Sequence, residues 1–177
     1  MLNGYRDRVS SLGFIFFFAG IYIISQVIIA NILHPLDSRL FLKAQTTFSR
    51  ELYLQLLQGW ESAGLIGRYR LHFYFDFVHP VWYSVFLSAL IAKGMNLNSI
   101  SARFNILLLI PFIAGLMDLI ENCFHVFFIS DHSTISEQNI FISALASNTK
   151  WALALVTLVM IFILFGKYLL RKGGGKK

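Results

Sequence analysis

The fold class this sequence predicts is an all-α integral membrane protein: a four-helix bundle with a short amphipathic helix at the interface between its first two spans. Three observations predict it. Hydrophobic residues make up 56% of the chain and the mean hydropathy is +0.65, outside the range of ordinary soluble domains. Four apolar runs have about the 20-residue length that crosses a bilayer at ~1.5 Å per residue. The basic residues flank those runs and form no patch interleaved with exposed aromatics, so the net charge of +6 points to a membrane surface as partner and away from nucleic acid. With 177 residues there is room for a single membrane domain, 1–177.

The first span, about 12–33, follows Arg6 and Arg8 and is interrupted only by small or uncharged polar residues such as Ser25 and Gln26. It is longer than the ~7–15-residue apolar core of a signal peptide, so an uncleaved anchor is expected. From His34 to Arg70 the chain is polar enough to leave the bilayer. Phe48, Leu52, Leu56 and Trp60 recur there every fourth residue, predicting an amphipathic helix over about 47–58. Thr46, Thr47 or Ser49 can cap it, Gly59 weakens its end, and Gly64 and Gly67 supply turn chemistry. Such a helix lies in the headgroup region with Trp60 as its anchor, or it closes over a site as a lid.

The second span, about 71–92, carries His72, Asp76, His79 and Tyr83 at spacings of four, three and four residues, a single helical stripe. Pro80 removes a backbone donor and is expected to kink it, and Tyr83 is expected to pack. The third span, about 104–130, carries Asp118, Glu121, Asn122 and His125 in the i, i+3, i+4, i+7 pattern of one face. Cys123 lies in the same run as a packing residue; being the sole cysteine, it forms no intrachain disulfide. Asp131 to Gln138 reads as a polar loop, the last span covers about 151–170 with Lys150 just before it, and 173–177 reads as a flexible tail. No internal repeat, Walker loop, dinucleotide fingerprint or paired-Cys zinc pattern occurs. Four spans put both termini on one side. Arg6, Arg8, Lys93, Arg103 and the basic residues from Lys167 onward mark that side as cytoplasmic, although Arg39, Lys43, Arg50, Arg68 and Arg70 in the first loop dilute the bias.

Ionisable residues inside a span are costly and make a functional site the default expectation. The second and third spans run antiparallel, so depths can be compared from one face. Asp76 lies ~9 Å beyond Arg70, while His125, Glu121 and Asp118 lie ~8, ~14 and ~18 Å in from Ser130. The stripes overlap in depth, with Lys150 entering from the same face and Arg68 and Arg70 at the mouth, which predicts one off-centre polar cavity. Carboxylates crowded in a low dielectric cannot all stay ionised, which leaves a protonated acid beside a carboxylate base and suits general acid–base catalysis. His72, Asp76, His79, Glu121 and His125 are also donor types that suit zinc, and a pair of acids can hold Mg2+, so a divalent metal stays open. The bland alternative is that the acids pair across helices with Lys150 or Arg68 to fix register, that water at the interface satisfies His72 and His125, and that Asn122 orients a carboxylate.

The run Gly67-Arg68, Asp76, Pro80, Tyr83, Pro111, Asp118-x-x-Glu121-Asn122 and Lys150 resembles a family of small, uncharacterised bacterial four-span membrane proteins. The resemblance covers roughly residues 48–151 and leaves out His72, His79 and His125. It implies a bacterial inner-membrane protein whose carboxylates, amide and Arg68 or Lys150 carry its role, and it supplies no activity.

The expected function is a membrane-embedded enzyme of hydrolase or isomerase type acting on a membrane lipid or other apolar molecule. Asp118 and Glu121 would be the acid–base pair, with Asp76 assisting. Asn122, His125, His72 and His79 would be binding groups, and Arg68 and Lys150 would hold an anionic headgroup. The alternative is a lipid- or ligand-binding module or an assembly subunit. Transport would require a homo-oligomer.

Overall fold

The structure, a computed structural model, describes residues 2–174. Eight α-helices follow one another: α1 Leu2–Val9, α2 Leu12–Leu33, α3 Ser38–Thr46, α4 Arg50–Ser62, α5 Ile66–Asp76, α6 His79–Leu97, α7 Ile110–Ser130 and α8 Glu137–Gly174. A 3-10 helix, Ala102–Leu109, leads directly into α7, and a single 3-10 turn, His132–Thr134, separates α7 from α8. Among the described residues there is no strand. Three segments are long and apolar enough to cross a membrane: α2, the continuous Ala102–Ser130 stretch, and α8. The second expected span is two helices, α5 and α6, bent by 48° at Phe77–Val78, and they make a fourth crossing if the bent pair is one span. The physical cause is Pro80. It occupies the first turn of α6, where its missing N–H costs nothing, so the proline starts a helix instead of kinking one.

The last helix corrects a second boundary. The expected loop at 131–138 is followed at once by α8, which runs without a break from Glu137, so Lys150 lies thirteen residues inside it, ~20 Å from its start. Ser136 accepts the amide of Asn139 across the first turn. Ile140, Ser143, Ala144, Ser147 and Lys150 are then buried at helical spacing, the small residues letting α7 and α8 approach closely. Of the expected tail, residues 173 and 174 continue α8 and 175–177 lie outside the described residues.

The amphipathic helix exists but turns another face inward. Ser49 is its cap, accepting from Leu52 N at 3.2 Å, yet the buried residues of α4 are Tyr53, Leu57 and Trp60, while Phe48 is 50% exposed. A shift of one residue rotates a helix by ~100°, so the buried stripe lies beside the expected one. Trp60 is 5% exposed and packs with its ring tilted 47° against Tyr69, centroids 4.6 Å apart, which makes it a core residue and not a headgroup anchor. Arg6 departs from its expected role as a free basic flank in the same way. It is buried, donating to Asn96 Oδ1 (2.6 Å), the Ile100 carbonyl (2.9 Å) and Asn105 Oδ1 (2.9 Å), and so pins α1 across the end of α6 and the 3-10 helix. Cys123 faces outward, not into the packing.

The apolar core has two parts. Tyr53, Leu57, Trp60, Tyr69, Phe73, Phe128 and Ile140 join α4, α5, the end of α7 and the start of α8. Val9, Ala89, Ile91, Ala92, Met95 and Leu108 join α1, α6 and the 3-10 helix at the other end. Between them α6 crosses α7 at Gly115. A Cβ there would lie 2.5 Å from Ser84 Oγ and 3.2 Å from the Pro80 carbonyl oxygen, and Ser84 Oγ already donates to the Pro111 carbonyl at 2.8 Å. Gly115→Ala is therefore expected to cost about 1–3 kcal/mol, read as a lowered unfolding midpoint of the detergent-solubilised protein.

Candidate functional site

The polar face of α7 is buried as one: Asp118 is 5% exposed, Glu121 and Asn122 0%, and His125 1%. Such a face tolerates burial only if neighbouring helices bring partners. Lys150 comes from α8, its Nζ 3.1 Å from Asp118 Oδ1 and 2.6 Å from Glu121 Oε2. Tyr83 comes from α6 and donates to the other oxygen of Asp118 at 3.1 Å. It is thus a participant and not the packing residue the sequence suggested. Asp118 has a donor on each oxygen. Glu121 has the Lys150 ammonium against Oε2, a charge-assisted contact, while its Oε1 has no hydrogen bond among the described residues.

His125 is held from the opposite side. Its Nδ1 lies 2.9 Å from the Tyr53 hydroxyl on α4 and 3.0 Å from the Tyr69 hydroxyl on α5. A phenol hydroxyl both donates and accepts, so the tautomer with the proton on Nε2 lets Nδ1, with its one lone pair, accept from one of the two phenols and turns the N–H toward Glu121 Oε1, 3.6 Å away. The Nδ1 side of His125 is thus met by phenols and not by interfacial water, while Nε2 has no hydrogen bond among the described residues. Tyr53 and Tyr69 are functional candidates the sequence reading passed over. The signal for Tyr53 was its place on the Tyr53, Leu57, Trp60 face; nothing marked Tyr69.

Asn122 turns to Asp76 and makes no hydrogen bond to Glu121 or Asp118 among the described residues. Its Nδ2 donates to the backbone carbonyl of Asp76 at 3.1 Å, a group left without a helical partner where α5 ends at the bend. The Asp76 carboxylate is 13% exposed and its nearest basic group is His72 Nε2, 4.0 Å away. His72 is completely buried, with Nδ1 on the Tyr69 carbonyl, so water at the interface does not satisfy it either. The bend also splits the expected single stripe of the second span. His79 turns to α2, its Nδ1 3.0 Å from Ser25 Oγ and its ring stacked 5.4 Å from Tyr22. Arg68 is exposed and has no hydrogen bond, leaving Lys150 as the cation that meets the acids.

Asp118 and Glu121 thus share one lysine, with Asp76 beside His72, in a cluster that carries more acid than base and has unused hydrogen-bonding atoms on Glu121, Asn122, His72 and His125. Among the described residues, no group of three or more His, Cys, Asp or Glu side chains has an arrangement that could hold a metal ion. The zinc donors proposed from sequence are separated by the bend, which sends His79 away from His72 and His125.

No protein-family model, curated protein or solved structure matches the chain. The resemblance of the Asp118-x-x-Glu121-Asn122 run therefore rests on those residues alone.

Proposed function

We propose that this chain is a membrane-embedded enzyme, four spans with α5 and α6 forming one bent span, that acts on a lipid or other apolar substrate by acid–base chemistry. In this reading it lies in a bacterial inner membrane with both termini cytoplasmic. The observation that carries the proposal is the Glu121–His125 pair: completely buried, 3.6 Å apart, with Glu121 Oε1 and His125 Nε2 facing each other and neither hydrogen-bonded among the described residues. Glu121 is the base, and His125, with its proton on Nε2, donates a hydrogen bond to the oxygen on which negative charge develops. Lys150 and Asp118 form the counter-charge that holds Glu121 in place, and Asp76 assists from the bend. Hydrolysis and isomerisation both suit such a pair. Because Glu121 is sealed, substrate enters by movement of α5 about the Phe77–Val78 bend.

A second reading, a non-enzymatic lipid-binding module, draws on the double engagement of Lys150 with Asp118 and Glu121, which resembles a register lock. The two separate in one experiment. Purified protein in nanodiscs is incubated with a bacterial lipid extract, and the products are followed by mass spectrometry. The enzyme converts a lipid class, and Glu121→Gln lowers the rate by about 10²–10⁴-fold, the usual weight of an acid–base group, without moving the unfolding midpoint far, since the Lys150–Asp118 pair stays neutral overall. No conversion by the native protein, or a Glu121→Gln variant that turns over normally, would overturn the enzyme reading.

A further inference from the structure

Between α5 and α7 lies a groove with a volume of about 390 Å³, lined by Arg70, Phe73, Tyr74 and Phe77 on one side and Val126 and Ile129 on the other, with Ser130 at its rim. The α5 residues follow the i, i+3, i+4, i+7 pattern, so the groove runs along that helix for about 10 Å. Its composition changes along its length. In the second turn of α5 stands Arg70, the one charged residue in the lining; from there toward the bend come only aromatic and aliphatic side chains. One N–H of Arg70 donates to the Ile129 carbonyl at 3.2 Å, which fixes the guanidinium at the mouth and leaves its remaining donors for an anion. Tyr74 is 75% exposed at the groove edge, an aromatic amphipath of the kind found at headgroup level.

We propose that this groove binds an anionic phospholipid, with the phosphate on Arg70 and an acyl chain against Phe73, Phe77, Val126 and Ile129. Polarity and direction match that one occupant. A cation sits at the end of the groove away from the bend, and the apolar floor runs from it toward the bend. The charge is complementary to the net negative charge of an anionic phospholipid, whereas in phosphatidylcholine the quaternary ammonium offsets the phosphate. The inner end of the groove stops at the bend, at Phe77, and none of its lining residues belongs to the acid cluster. The lipid site stands beside the buried acids, and lipid binding there does not rest on the enzyme reading. The headgroup cation expected from sequence was Arg68 or Lys150. Lys150 is taken by Asp118 and Glu121, and Arg68 lies outside the groove, so the role passes to Arg70.

The test is binding, read without turnover. Full-length protein is delipidated in mild detergent and reloaded with phosphatidylglycerol or phosphatidylcholine of identical acyl chains, and the retained lipid is measured by native mass spectrometry. The native protein is expected to hold phosphatidylglycerol about tenfold more tightly, a factor within the reach of one charge-assisted contact. Arg70→Gln is expected to erase that preference by weakening phosphatidylglycerol binding more than phosphatidylcholine binding, and Arg70→Lys to keep part of it. Val126→Trp, which fills the groove, is expected to lower binding of both lipids, and it carries the test should Arg70→Gln fail to fold. Equal retention of the two lipids by the native protein, a preference that survives Arg70→Gln, or displacement of the lipid by inorganic phosphate alone would overturn the proposal. A protein that binds phosphatidylglycerol in this way yet converts no lipid would sink the enzyme reading and leave the lipid site standing.

Discussion

Replacing Lys150 with methionine is expected to destabilise the protein by about 3–5 kcal/mol, the cost of breaking a buried ion pair by removing one partner. Methionine matches the length of the lysine stem, so little packing is lost and the effect is electrostatic. The Nζ lies 3.1 Å from Asp118 and 2.6 Å from Glu121, whose side chains are 7% and 0% exposed, and no other Lys or Arg reaches those carboxylates among the described residues. Deleting the ammonium leaves two acids facing each other in low dielectric, where repulsion and desolvation act in the same direction. The measurement is the unfolding midpoint in detergent together with the folded fraction extracted from membranes. The control is the triple change Lys150→Met, Asp118→Asn, Glu121→Gln, which removes every charge of the trio and is expected to recover most of the lost stability. A single Lys150→Met variant as stable as the native protein would show that the lysine is not the counter-charge of the cluster.

Some of this was legible in the chain, and what was hidden has physical causes. The polar face of α7 could be read directly, because a run that is otherwise apolar makes Asp118, Glu121, Asn122 and His125 stand out at helical spacing. Lys150 was noticed but misplaced. Residues 139–150 mix Ser, Asn and Thr with apolar residues, and an average over that window looks like a connection, whereas Ser143, Ala144 and Ser147 are small residues at a helix–helix contact. The break at Phe77–Val78 was hidden because a proline signals either a kink or a helix start, and only the packing of α5 away from α6 selects the start. Once the helix is broken, sequence spacing no longer reports which face His79 occupies, so its pairing with Ser25 could not be derived. Tyr53 and Tyr69 were hidden because phenols read as core or interface residues in any membrane protein. Their role depends on His125 arriving from a third helix, information that no local pattern contains. The bias of basic residues toward the termini overlooked Arg6, whose guanidinium is consumed by the end of α6 and the turn after it.

Trp60→Ala gives the second large effect expected and decides what α4 is. A lid would open locally, leaving the bundle beneath it intact, and its aromatic residues would face lipid or solvent. Instead Trp60 packs against Tyr69, Tyr53 packs 5.2 Å from Phe128 as well as bonding His125, and the helix is tied at both ends: Arg50 donates to the Ile135 carbonyl at 2.7 Å, and Glu61 pairs with His132 at 3.2 Å. Truncating the indole removes a large buried side chain from the middle of that layer, a change that costs about 3–5 kcal/mol when the site cannot collapse. Because the same layer joins α5 and the end of α7, loss of amide protection is expected to spread from 53–60 to 69–73 and 124–129 together, while Ala89 to Met95 and Leu108, in the separate core at the other end, keep theirs. Hydrogen exchange of the detergent-solubilised variant reads this directly. Protection lost on α4 alone would return the helix to the role of a lid. The expected spread would instead make α4 a fixed wall that holds the Tyr53 hydroxyl against His125 Nδ1, with the other ring nitrogen facing Glu121.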